Sequence, residues 1–210
     1  MIHPMKNVLI LSVTLIVAAA ITSCDTGSDP LPIQSAMYKN LPADPPTGFN
    51  PNTGQPTGTT GKFTFFSFET GGIIPNSDSL TNKWDLGFRG TTIIVNGGAN
   101  RIGKGGVQIL NGLFSSLATA PLDGYLLDGA GGNAIPTVSG NGWYTYQPAS
   151  QTIVPTAGKV LVIRTAKGKY AKMEILSYYK DAPAAPTNQN PSRYYTFQYV
   201  YQPSGTVKFF

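Results

Sequence analysis

From Lys62 onward, aromatic and β-branched residues come in short runs punctuated by Gly, Asn and Pro, the spacing of an all-β domain. The runs predict strands over 62–69, 83–89, 91–95, 106–110, 143–147, 159–166, 169–179 and 194–202. Helix has little room, and residues 112–120 are the one stretch that suits a short one. The segment 159–179 reads as a hairpin turning at Lys167-Gly168, where Gly168 is free to take a positive φ. Along the last run Tyr195, Phe197, Tyr199 and Tyr201 alternate onto one face, opposite Tyr194, Thr196, Gln198 and Val200. The expected fold class is all-β: a single, mostly antiparallel domain over 62–210 with at most one short helix.

The preceding residues follow a different pattern. Lys6 is followed by a fourteen-residue apolar run, Val8 to Ile21, which is short for a bilayer span and fits the apolar region of a signal peptide. It ends in Ile21-Thr22-Ser23-Cys24, which resembles the lipobox of bacterial lipoproteins. In that reading residues 1–23 are removed, the Cys24 thiol takes a diacylglycerol and the new amine is acylated, so the protein is anchored and does not span. An ordinary secretory signal with a leftover cysteine is the alternative. Met5-Lys6-Asn7 reads as a more natural start than Met1. Residues 24–61, with seven prolines between 30 and 56, read as the lipidated Cys and a flexible Pro/Gly-rich tether.

Composition narrows the chemistry. A net charge of +5 arises from scarce acids rather than from clustered bases, which argues against nucleic-acid binding. The one histidine, His3, and the one cysteine, Cys24, both precede the body, so a Ser-His-Asp set, a thiol nucleophile and a Cys/His zinc site are all excluded there. Carboxylates at Glu69, Asp78, Asp85, Asp123, Asp128, Glu174 and Asp181 show no spacing that selects an acid–base pair, and Asp85 beside Trp84 reads as structural. Gly98 to Gly105 matches G-x-x-x-x-G-K but ends in Gly where a P-loop needs Ser or Thr, and a strand follows, so it reads as a glycine-rich loop. Trp84 and Trp143 suit either core or an apolar pocket, with core preferred, and Met173 reads as packing.

Three segments together resemble the HmuY family of Bacteroidota outer-membrane lipoproteins. They are Lys83-Trp84-Asp85-Leu86-Gly87-Phe88-Arg89 running on to Gly103-Lys104-Gly105-Gly106, then Val160 to Arg164 with Gly168 to Met173, and finally Tyr195 to Tyr201. The resemblance covers most of residues 62–203 and implies a mostly β fold, lipid-anchored at the outer membrane and usually exposed at the cell surface. It implies binding of haem without chemistry on it, for iron acquisition, and transfer to a TonB-dependent receptor. The family's iron ligands, histidines or methionines, come from the interval corresponding to Val107–Lys159, which here holds neither residue type. That interval does hold Tyr125, Tyr144 and Tyr146, and a phenolate is a haem ligand type. These three are the candidate cofactor-binding residues, beside their plainer reading as packed strand aromatics. The alternatives are a member of the same fold that binds a metal-free tetrapyrrole or another planar apolar ligand, and a surface module that binds protein.

Overall fold

The structure is a computed structural model that describes residues 31–52 and 56–210; the apolar leader and Cys24 lie outside them. In chain order the strands are β1 (Gln34–Pro42), β2 (Gly48–Phe49), β3 (Pro56–Thr57), β4 (Thr64–Ser67), β5 (Gly72–Ile74), β6 (Leu86–Arg89) and β7 (Thr92–Val95). There follow β8 (Gly106–Asn111), β9 (Tyr144–Gln147), β10 (Thr152–Pro155), β11 (Lys159–Arg164), β12 (Tyr170–Tyr179) and β13 (Ser192–Gln202). A five-stranded sheet runs β1-β13-β12-β11-β8, a four-stranded sheet β5-β4-β6-β7, and two hairpins pair β9 with β10 and β2 with β3. Every pairing is antiparallel. The only helical elements among the described residues are 3-10 turns at Asn76–Asp78 and Phe114–Ser116.

The alternating aromatic face of β13 is the centre of the core. Tyr195, Phe197, Tyr199 and Tyr201 are buried against the four-stranded sheet, with Phe88 5.0 Å from Tyr195, Phe66 5.2 Å from Phe197 and Phe68 5.3 Å from Tyr199, all edge-on. The opposite face of the five-stranded sheet is covered too: Val162 and Val200 pack with Ala120 and Phe209, under residues 112–126 and the C-terminal tail. The outer face of the four-stranded sheet holds Phe65 and Ile94 against Trp84.

Three expectations are corrected. The segment read as a tether contributes β1, which pairs with β13 from Gln34↔Tyr201 to Pro42↔Tyr194 and buries Leu41 and Ala43 completely. The ladder is interrupted between Tyr38 and Leu41, where Asn40 takes φ 58°. Its side chain and that of Asp181 lock the bulge, the Asn40 amide donating to the Asp181 carboxylate and the Asp181 N–H to Asn40, each at 2.8 Å.

Residues 112–120 form one 3-10 turn instead of a helix. Carbonyls that a helix would use internally, those of Phe114 and Leu117, accept hydrogen bonds of 2.7 and 2.8 Å from the Lys172 ammonium, buried beneath them. The β11–β12 connection is not a two-residue turn. The Gly168 N–H donates to the Thr165 carbonyl at 2.9 Å and the Thr165 N–H to that of Lys169 at 2.8 Å, so Ala166 and Lys167 are the central residues and Gly168, at φ 76°, is the bulge after them.

The glycine-rich loop has a packing cause. A Cβ on Gly97 would lie 1.8 Å from the Gly105 carbonyl oxygen and one on Gly103 2.2 Å from that of Asn96, so these glycines let two backbone segments touch. Asp85 is likewise structural: its carboxylate accepts N–H bonds from Phe68 and Ala166, each 2.8 Å, and so joins the two sheets.

Candidate ligand cleft

β1 and β13 carry their chain ends Pro42 and Ser192 to the same end of the molecule, where the β6–β7 turn and the β9–β10 hairpin also arrive. Between them opens a cleft of about 1290 Å³, at the upper end of the size of small-molecule sites or beyond. Its walls are aromatic: Tyr178 and Tyr179 end β12, Tyr194 lies on β13, Tyr146 on β9, Ile153 on β10, and Phe49 stands 62% exposed at the rim.

Two arginines complete it. Arg193 adopts φ 67°, a left-handed conformation rare for a side chain of this size, which breaks the extended path at the start of β13. Its guanidinium donates to the Asp44 carbonyl at 3.0 Å. Arg89, at the end of β6, donates to the Gly61 carbonyl at 2.9 Å and lies 4.3 Å from the Phe63 ring. Arg193 also hydrogen-bonds the Tyr178 hydroxyl, and these bonds still leave donors of each five-donor guanidinium for an anion. The loop bearing Asp44 is itself fixed, since its carboxylate accepts N–H bonds from Thr60 at 2.7 Å and Gly61 at 2.8 Å. Burial raises the Asp44 pKa, but these bonds, the Thr60 hydroxyl and the Arg193 charge outweigh it and hold the group below its ordinary value.

The three tyrosines named from the sequence do not share one site. Tyr125 lies on the far side of the five-stranded sheet, its hydroxyl donating to the Pro121 carbonyl at 2.9 Å beside Tyr170 and Arg164. Burial pushes its phenol well above the ordinary value, which disfavours a phenolate. Tyr144 belongs to the core, packed on Trp143 at 4.9 Å, with its hydroxyl donating to the Thr137 carbonyl at 2.6 Å. Tyr146, two residues along, is 44% exposed and lines the cleft.

Tyr178 and Tyr179 carry no signal of a site in the sequence because their strand reads as core, and both are buried. Burial raises both phenols, and Tyr179 also accepts the Ile153 N–H at 2.9 Å. Arg89 and Arg193 gave no sequence signal, because only the fold brings them together across 104 residues of chain.

As a receptacle for haem, the cleft offers an aromatic slot, guanidinium groups for carboxylates and one exposed phenol for iron. Among the described residues there is no histidine or cysteine, Met173 is fully buried in the core, and Met37 sits on β1 opposite Gln198, outside the cleft. The residues therefore fit the porphyrin body and its propionates, and the groups in the cleft wall of a type able to meet the metal are phenols, of which that of Tyr146 is the most exposed. No group of three His, Cys, Asp or Glu residues able to hold a free metal ion occurs among the described residues.

Comparison with protein families matches residues 59–199 to the model described as HmuY protein. Among solved structures, the apo form of a Tannerella forsythia HmuY analogue superposes with a TM-score of 0.51 at 16% identity, over 84% of this chain and 100% of that one. A candidate HmuY-like haem-binding protein from Bacteroides vulgatus gives 0.45 at 14% identity, over 81% and 92% of the two chains. A candidate lipoprotein from Bacteroides fragilis gives 0.44 at 15%, over 81% and 89%. No curated protein matches.

Proposed function

Because the chain belongs to the HmuY family, whose members bind haem without catalysis, we propose that it is a lipid-anchored surface protein that captures haem in the cleft and passes it to an outer-membrane receptor. The supporting observation is the cleft itself, where Tyr146, Phe49 and Tyr194 meet Arg89 and Arg193. When bound, haem supplies a planar apolar face, an iron that takes an axial donor, and two anionic propionates.

Phe49 and Tyr194 would cover the ring face, Arg89 and Arg193 would hold the propionates by charge-assisted hydrogen bonds, and the Tyr146 oxygen would meet the iron. The diacylglyceryl group on Cys24 keeps the protein at the outer membrane, where a TonB-dependent receptor takes over the ligand. The cleft's openness to solvent suits hand-off, since release requires no unfolding of the sheets.

A second reading has its own observation: with no His or Met in the cleft wall, a metal-free tetrapyrrole satisfies the same slot and arginines. One experiment separates the two. Trp143 lies directly behind the cleft, its indole N–H donating to the Thr91 carbonyl at 3.0 Å and its ring 5.7 Å from Tyr178, so its fluorescence reports occupancy. Saturable one-to-one quenching by haemin, with weaker quenching by protoporphyrin IX, is the expected result for the full chain in detergent. Equal affinities would favour the metal-free reading, and non-saturable quenching by both would overturn the tetrapyrrole site.

A further inference from the structure

The chain direction gives the molecule two unlike poles. β1 enters the five-stranded sheet at Gln34 opposite Tyr201 and leaves it at Pro42 opposite Tyr194, beside the cleft. The strand is nine residues long from end to end, roughly 25 Å with the bulge at Asn40.

At the entry pole the β11–β12 turn, the glycine-rich loop and the turn after β13 are tied together. The Lys104 N–H donates to the Ala166 carbonyl at 2.8 Å, the Arg164 Nε to that of Lys104 at 2.8 Å, and the Lys169 ammonium reaches the Ser204 carbonyl at 3.4 Å. The loop before Trp84 joins them, since the Asn96 amide donates to the Thr81 carbonyl at 2.9 Å. This pole therefore gathers Lys104, Lys167 and Lys169, with Lys104 and Lys167 exposed and Lys167 paired to Glu69.

Aliphatic side chains project from the same loops. Leu80 is 86% exposed and Ile102 71%, and Leu31, just ahead of β1, is 63% exposed. The core needs none of them. Lysines ringed around protruding aliphatics suit a lipid surface, where ammonium groups meet headgroup phosphates and the aliphatics reach the acyl boundary.

We propose that this pole lies against an anionic lipid surface and that the cleft, at the opposite pole, faces away from it. The proposal rests on the anchor at Cys24. That residue precedes Gln34 by ten positions, a reach of at most about 35 Å of chain, and Gln34 joins the sheet at the end that carries Lys104 and Lys169. Chain entry, Lys104 and Lys169, and the exposed Leu31, Leu80 and Ile102 thus come together at one pole, and a ligand approaching from the far side meets an unobstructed cleft.

The test uses the lipidated full chain in vesicles of phosphatidylcholine with a minority of phosphatidylglycerol. Cysteines introduced as Ile102→Cys or, at the cleft pole, Ala184→Cys carry an environment-sensitive fluorophore, the Cys24 thiol being consumed by lipid. The 102 label is expected to shift to the blue and to be quenched by headgroup spin-labelled lipid, with the 184 label remaining water-like. Adding Lys104→Glu with Lys169→Glu should cut the quenching at 102 several-fold. Protein that floats with the vesicles but shows equal quenching at both labels, or more at 184, overturns the orientation and leaves the anchor standing. Protein that does not float overturns both.

Discussion

Tyr144 and Tyr146 show how two residues on one strand face take different work. Tyr144 spends its hydroxyl on the Thr137 carbonyl inside the core, whereas Tyr146 is at the cleft surface. Tyr144→Phe should therefore cost about 1 kcal/mol in urea unfolding, the worth of one buried hydrogen bond, and leave ligand affinity unchanged. The sequence showed the alternation of aromatics but not which member of a row meets solvent, because that depends on what the neighbouring hairpin covers.

Asp85 makes a pH prediction at the same scale. Desolvation raises its pKa to about 6 despite the N–H bonds from Ala166 and Phe68. A carboxyl group whose pKa is higher in the folded protein than in the unfolded chain favours folding while protonated. Its contribution is complete below the unfolded value near 3.8 and is lost as pH rises through about 6. This group alone should make urea unfolding harder at acid than at neutral pH by up to about 3 kcal/mol, against the opposite contribution of Asp44, whose lowered pKa favours folding less as pH falls. Asp85→Asn should shift the slope toward lower stability at acid pH relative to the parent, and an unchanged slope would overturn the contribution of Asp85.

Among the elements, β1 is the least legible. Its pattern is mostly exposed, because as an edge strand it is held by main-chain bonds to β13 and buries little beyond Leu41. A proline-rich neighbourhood with no alternation of apolar residues leaves such a strand unreadable. The long strands β11, β12 and β13 were legible because each carries a buried face. Leu41→Ala should cost about 2–4 kcal/mol, and deletion through Pro42 should uncover the β13 edge and cause aggregation, visible by light scattering. A tether would tolerate both changes. In the glycine-rich loop, Gly97→Ala should destabilise more than a typical surface change, because the new Cβ meets a carbonyl oxygen at 1.8 Å. A phosphate loop would instead reveal itself by nucleotide binding.

On the scale of the whole molecule, the cleft is a product of topology. Residues from positions 44 to 194 meet there because both sheets deliver their connecting loops to one end, and neither spacing nor composition encodes that meeting. The family was legible in short segments that build the sheets, which explains why the fold was readable while its arginines were not. Arg89→Gln and Arg193→Gln should each weaken haemin binding about tenfold, equivalent to about 1.4 kcal/mol, without moving the Soret maximum, since neither is the metal's donor.

Haem binding in the cleft through Tyr146 is decided by a haemin titration of the full chain followed in the Soret region. The expected result is a saturable one-to-one Soret shift that survives removal of free haemin, is lost in Tyr146→Phe and is retained in Tyr144→Phe. A spectrum indistinguishable from haemin with a nonspecific protein, or a shift unaffected by Tyr146→Phe, would contradict it.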